Sequence, residues 1–286
     1  MNPFFIIGNP RSGTSLFRLM LTTHPNIIIP PECHFFLWLE EKYKNWKSST
    51  GTDELFNDLM TSRKFETWNL SREEISQELS NARVNSFSDF VKTIYLLYGK
   101  KSGKKDILAW GDKNKLWKEK LSVIENYFPS CSYIHIVRDG RDVACSFKNL
   151  SNRDINSKYA PNLSGKIEDI AERWKLNVNY ISEFLNKKRT EQWIEIRYED
   201  LVARPEEILK KATKFLGVNY NAVMLDYAGT NQFELYEPAE FIQWKEKLKE
   251  SPDISNVGKY KNELQKQEIE YFENACRNEL SQHGYL

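Results

Sequence analysis

The chain has 286 residues, enough to bury a sizeable core. Its 41 basic and 40 acidic side chains leave a net charge of +1, so no global field draws nucleic acid or an anionic membrane, and any anion site has to be built locally. Four scattered cysteines with no C-x-x-C pair read as reduced thiols, and no apolar run reaches the roughly 18 residues of a membrane span. The expectation is a cytoplasmic protein with a single domain over residues 1–286, its N-terminus MNPFFII being a strand and no signal peptide.

Residues 4–7 form the first short apolar run, and a glycine loop and the start of a helix follow at once. Strand, loop and helix in that order aim loop amides and the positive end of the helix dipole at an anion. The spacing of Gly8, Gly13, Thr14 and Ser15 is nearly the phosphate loop G-x-x-x-x-G-K-[ST], except that Thr14 stands where the lysine belongs. Arg11 is the loop's only cation. A loop without the lysine that reaches β/γ-phosphates suits a donor with no γ-phosphate to transfer. The backbone and hydroxyls of Ser12, Gly13, Thr14 and Ser15 are candidate phosphate ligands, with Arg11 offering a charge-assisted fork.

Glu32 follows Pro30 and Pro31, twenty-one residues after Arg11. A lone glutamate beside prolines is ordinarily a solvated loop residue. Residues 35–100 show helical periodicity, as in Phe87, Phe90, Val91, Ile94, Tyr95 and Tyr98. A second apolar run, 107–110, leads into Gly111, Asp112, Lys113 and Asn114. A third, 133–137, leads into RDGRD at 138–142, with Ser146 about two turns into the next helix. Arg141 and Asp142 read as surface or structural residues, and His135, mid-strand, as packed. Residues 149–165 read as a long polar loop and 167–188 as a helix. A fourth run, 193–196, leads into RYEDL with Tyr198, and residues 228–262 are loop-rich around one helix near 240–250. Residues 265–280 read as a final amphipathic helix. Alternating runs and helices predict an α/β fold, a P-loop-type open and mainly parallel sheet with helices on both faces. Four polar clusters at the carboxyl ends of strands predict one shared site. Trp38, Trp46, Trp68, Trp110 and Trp117 are either core or an acceptor platform.

The strings NPRSGTSLFRLMLTTHPNIIIPPE and YIHIVRDGRDVACS resemble the sulfotransferase superfamily that uses 3′-phosphoadenosine-5′-phosphosulfate (PAPS), in its bacterial branch similar to tyrosylprotein sulfotransferases. The resemblance continues through GDKN, RYEDL, RPEEILKKATKFLGV, VGKYKNEL and HGYL, and omits roughly 35–100 and 149–165. It implies that Arg11 to Ser15 hold the 5′-phosphosulfate and that Arg138 and Ser146 together hold the 3′-phosphate. It implies Glu32 as general base, with His34 and His24 as competitors, and Lys113 as the cation beside the oxygen bridging sulfur and phosphate. Lys115 stands where many relatives have proline. Tyr198 is placed at the donor, and Gly258 and Lys259 resemble the element that closes on the 3′-phosphate, although Val257 stands where arginine usually begins it. The implied product is PAP, with no metal. The acceptor is a hydroxyl on a saccharide, lipid-linked glycan or small metabolite, with a carbohydrate-type hydroxyl preferred and 35–100 and 149–165 as acceptor-side insertions or lid. Rival readings are a P-loop kinase with a variant loop and a non-catalytic nucleotide-binding protein.

Overall fold

The computed structural model describes residues 1–113, 117–230 and 236–286. Among them, five strands pair, β1 (Phe4–Gly8), β2 (Ile27–Ile28), β3 (Ala109–Lys113), β4 (Ser132–Val137) and β5 (Trp193–Arg197), in the order β2-β3-β1-β4-β5. Every pairing is parallel. The FFIIG of β1 is buried throughout, as a central strand covered on both faces must be. The helices used below are α1 (Thr14–Thr23), α2 (Phe35–Tyr43), α3 (Asp53–Thr61), α4 (Arg72–Asn81), α5 (Phe87–Lys101), α6 (Trp117–Tyr127), α7 (Gly140–Ser151), α8 (Ile167–Leu185), α9 (Tyr198–Ala203) and α10 (Pro205–Phe215).

The chain leaves β1 through α1 towards β2 on one edge, returns to β3, and then crosses over β1 to β4. Strand order therefore reverses at β1, and a ligand crevice opens at the carboxyl ends of β1 and β4. Right-handed crossovers put α1 on one face and α6 and α8 on the other. Accordingly α1 packs on the turn Ala222–Asp226, and α6 on α8.

The stripe read over 87–98 is the buried face of α5, which a Ser86–Asp89 capping box starts. Under it, Trp68 and Trp110 each lie about 5 Å from the Tyr95 ring, at 5.1 Å and 5.0 Å between centroids. Trp46, Trp68 and Trp110 are thus core, while Trp38 is half-exposed and stacks on His34. The readings for Asn114, Lys115 and the Trp117 side chain lie outside the described residues.

Several boundaries differ from the sequence reading. β3 runs to Lys113 and not 107–110, because Phe4 pairs with Gly111 and Ile6 with Lys113. The apolar signal stops where site residues occupy the strand end. α7 continues through Ser151, so 149–151 are helical; Leu150 is buried with Tyr159, Phe241 and Trp244, which holds that last turn. The helix near 240–250 is two short pieces, Ala239–Ile242 and Glu246–Lys249. The final helix breaks at Cys276 (φ −121°) into Lys266–Ala275 and Arg277–Gln282. β2 has only two residues and gave no strand signal. Arg141 and Asp142 are both buried, so they are structural and not surface residues.

Candidate active site

The loop joining β1 to α1 contains two left-handed residues, Arg11 (φ 71°) and Gly13 (φ 89°). A Cβ at Gly13 would meet Tyr198 Cδ2 at 2.4 Å, so glycine is what lets the Tyr198 ring close on the loop. For Arg11 the same backbone region costs roughly 1–2 kcal/mol, and such strain gathers at functional sites. Among the described residues no side chain caps α1, and the first amides of a helix lack partners within it. Ser12 Oγ is buried without a hydrogen-bond partner among the described residues.

Arg138 leaves the end of β4 and reaches this loop. Its Nη1 donates to Arg11 O at 3.1 Å, its Nη2 to Asn256 O at 2.7 Å, and its guanidinium lies 4.2 Å from the Tyr198 ring centroid. Its Nε is buried and unpartnered. Arg11 Nε donates to Ser146 Oγ at 3.0 Å and its Nη2 to Trp244 O at 3.3 Å. All these acceptors are uncharged. Burial, and then the neighbouring Arg138, hold the Arg11 guanidinium down to about 10. Two packed cations whose hydrogen-bond acceptors among the described residues are neutral, with the Asp142 carboxyl close enough to Arg138 to feel its charge, make a place that an anion with several oxygens would relieve. The spacing of Arg138 and Ser146 thus brings both to Arg11. Gly258 and Lys259 arrive from the C-terminal side, because the Gly258 and Tyr260 amides donate to Asp142 at 2.7 Å and 3.0 Å. Burial pushes the Asp142 carboxyl up. Lys259 faces the cleft while pairing with Glu263 at 3.3 Å.

Glu32 sits at the other end of the cleft, on a segment pinned from two sides. Arg18 Nη1 donates to Ile29 O at 3.0 Å, and Trp68 Nε1 donates to Pro31 O at 2.9 Å. The carboxylate is 4% exposed, and Lys113 Nζ at the tip of β3 donates to its Oε2 at 2.6 Å. Lys64 Nζ donates to Oε1 at 2.8 Å, and His34 Nε2 lies 3.3 Å from that oxygen. Lys245 lines the same space and pairs with Glu237, which also holds Arg18 of α1. Burial takes Lys245 down to about 8, against the pull of Glu237 and with the push of Lys113.

One cleft of about 470 Å³ is lined by Arg11, Gly13, Thr14, Ser15, Glu32, Lys113, Arg138, Ser146, Tyr198 and Lys259. Ser12 and Gly258 adjoin it through their neighbours. The other candidates lie elsewhere. His24 is tied to Asn219 O at 2.8 Å and accepts from Asn26 N at 3.0 Å. His135 is more than packed, because its Nδ1 lies 2.9 Å from Glu195 Oε2. Sequence reasoning missed Lys64, Trp244, Lys245 and Asn256, all in segments without a strand-end motif. The cluster QWKEKLK at 243–249 was the one available sign of basic residues there.

The fold and this cleft define an α/β protein of the phosphate-loop type. The Sulfotransferase family model matches residues 3–222, and the chain belongs to that family. It is similar to protein-tyrosine sulfotransferase A of Caenorhabditis elegans, 22% identical over 232 residues that cover 79% of this chain and 53% of that protein. It is also similar to nodulation protein NoeE of Sinorhizobium fredii, 24% identical over 281 residues, covering 93% and 61%. The chain spans about half the length of the curated relatives it matches, down to 39% of the Drosophila melanogaster protein-tyrosine sulfotransferase. Among solved structures, the sulfotransferase domain of the Synechococcus PCC 7002 olefin synthase aligns with a TM-score of 0.61 at 22% identity, covering 96% of this chain and 94% of that one. Mouse sulfotransferase SULT7A1 complexed with PAP gives 0.53 at 15% identity, covering 98% and 85%. These structural likenesses establish the fold.

Proposed function

We propose that this protein is a PAPS-dependent sulfotransferase that moves a sulfuryl group to an acceptor hydroxyl. The observation that carries the reading is the buried Glu32–Lys113 pair, 2.6 Å apart, in the same cleft as Arg11 and Arg138. The donor's 3′-phosphate fits Arg138, Ser146 and Lys259, and its 5′-phosphosulfate fits the loop from Arg11 to Ser15. PAPS supplies the sulfuryl group. The acceptor oxygen attacks sulfur as the bond to the phosphate oxygen breaks and PAP leaves, while the hydroxyl proton passes to Glu32. Such a base contributes about 10²–10⁴-fold. Lys113 opposes the charge growing on the leaving oxygen, and the rest of the catalysis is positioning.

A carbohydrate-type acceptor is the reading we prefer, since the cleft lining includes the aromatic residues Tyr227 and Trp244 together with the amides Asn149 and Asn162. A tyrosyl hydroxyl is the second reading, favoured by relatives whose names specify protein tyrosine. A kinase reading lacks the loop lysine, with Thr14 in its place. The test is thermal melting with PAP alone and with ATP plus Mg²⁺, followed by radiolabel transfer from PAPS to oligosaccharides and tyrosyl peptides. PAP at about 1,000 times its dissociation constant stabilises by roughly 4 kcal/mol. A larger shift with ATP and Mg²⁺ supports the kinase instead, and a PAP shift without transfer to any acceptor supports the non-catalytic binder.

A further inference from the structure

Nothing in the sequence singles out Lys64, and the reaction above makes no use of it. The residue sits in the bend between α3 and the single turn Phe65–Trp68, with a left-handed backbone, φ 74°. Its Nζ meets Glu32 Oε1 at 2.8 Å, whereas Lys113 takes the other oxygen. Both partners of the Lys64 contact are buried, at 7% and 4% exposure. The ammonium also lies 4.9 Å from the Phe241 ring centroid and 5.9 Å from that of Tyr159. Those two rings pack edge to face at 5.5 Å. Three distant segments therefore clamp one ammonium against one carboxylate oxygen.

The ammonium is not needed to make the bend. Phe65 N donates to Ser62 O at 3.0 Å, Thr67 N to Lys64 O at 3.1 Å, and Thr67 Oγ1 to Lys64 O at 2.7 Å, so the backbone closes the turn by itself. What the ammonium does reach is Glu32. A base must keep its direction while the acceptor proton arrives, and displacement of about 1 Å in such groups costs about 10²-fold. Lys113 shares its charge between Glu32 and the departing phosphate oxygen once the donor is bound, so its hold on the carboxylate loosens, whereas Lys64 has no second duty in the reaction.

We infer that Lys64 is a positioning residue that keeps the Glu32 carboxylate aimed at the acceptor once Lys113 turns to the donor, an inference that rests on Glu32 being the base. Oε1 stays on Lys64, with His34 beside it. Oε2, its bond to Lys113 loosened, takes the acceptor proton as the acceptor O–H bond breaks and the oxygen bonds to sulfur.

Two experiments test this. Crystal structures of the wild type and K64M, each with PAP, are expected to keep the Lys64–Glu32 contact in the former while Lys113 moves to the PAP phosphate. In K64M the Glu32 carboxylate leaves its place; a carboxylate that stays where it is overturns the inference. The second readout is release of inorganic sulfate from PAPS with water as acceptor. K64Q lowers kcat about 10- to 100-fold with the PAPS KM within about twofold, and K64R restores most of the rate. Wild-type kcat in K64Q overturns the role of Lys64, whereas wild-type kcat in E32Q overturns the base reading beneath it.

Discussion

The two ends of the cleft are built by different means. At the Arg11–Arg138 end, the β1–α1 loop, the tip of β4 and the start of α9 each lie within a few residues of a strand of one parallel sheet, and Ser146, Trp244, Asn256 and Lys259 join them from further along the chain. At the Glu32 end, the parts come from residues 32, 64, 113 and 245, and a small cluster of Leu150, Tyr159, Phe241 and Trp244 roofs them. The first end takes most of its geometry from sheet register, the second most of its own from side chains that meet across long stretches of chain, with only Lys113 carried there by the register of β3. A site made this way can keep one half constant and vary the other, because register tolerates few changes and a small aromatic roof tolerates many.

Substitutions that act on one end alone would break or sharpen this contrast. The largest effect is expected for E32Q, which lowers sulfuryl transfer by about 10²-fold or more while PAP affinity stays within about twofold. Steady-state rates alongside calorimetric PAP titration check it, and equal losses in both would merge the two ends into one. R138A acts at the opposite end. Loss of a charge-assisted contact of about 1.5–3 kcal/mol weakens PAP binding by about 10- to 100-fold. Unchanged calorimetric affinity would place the phosphate elsewhere.

F241A is expected to open the roof and spare the sheet end. Local opening becomes easier by about 1–3 kcal/mol, so amide exchange across 155–163 accelerates while the PAP dissociation constant holds. Exchange unchanged in that segment contradicts the roof. The smallest effect belongs to K259A. Lys259 already spends its charge on half-exposed Glu263, and such pairs are worth about 0–1 kcal/mol, so PAP affinity drops less than about fivefold. A loss as large as that of R138A would make Lys259 a principal phosphate ligand.

Legibility in the sequence followed the same division. Strand–loop–helix order and Gly13 were readable because local backbone geometry dictates them, whereas the joint role of Arg138 and Ser146 came from resemblance, their spacing only permitting it. Glu32 and Lys113 were readable only through resemblance, since an isolated glutamate after prolines and a lysine after an apolar run have ordinary uses. Lys64 was illegible, and for Lys245 the basic run 243–249 gave a charge but no role. Each becomes part of the site by meeting Glu32 or Glu237 through tertiary packing, and no periodicity or motif encodes such a meeting. The end of β3 was misplaced for a related reason: Asp112 and Lys113 are polar, so hydrophobic patterning closes the strand before them although the pairing with β1 carries it on.

Arg18 has a consequence for how the protein comes into being. It lies 1% exposed on α1, and its carboxylate partner is Glu237, 219 residues further along the chain. A buried guanidinium without its carboxylate is strongly unfavourable, by about 3–5 kcal/mol when the partner is removed. During synthesis α1 emerges early, yet it has no counter-ion until residue 237 has left the ribosome. A chain truncated before that point is expected to dock α1 less firmly, which faster proteolysis within α1 would show.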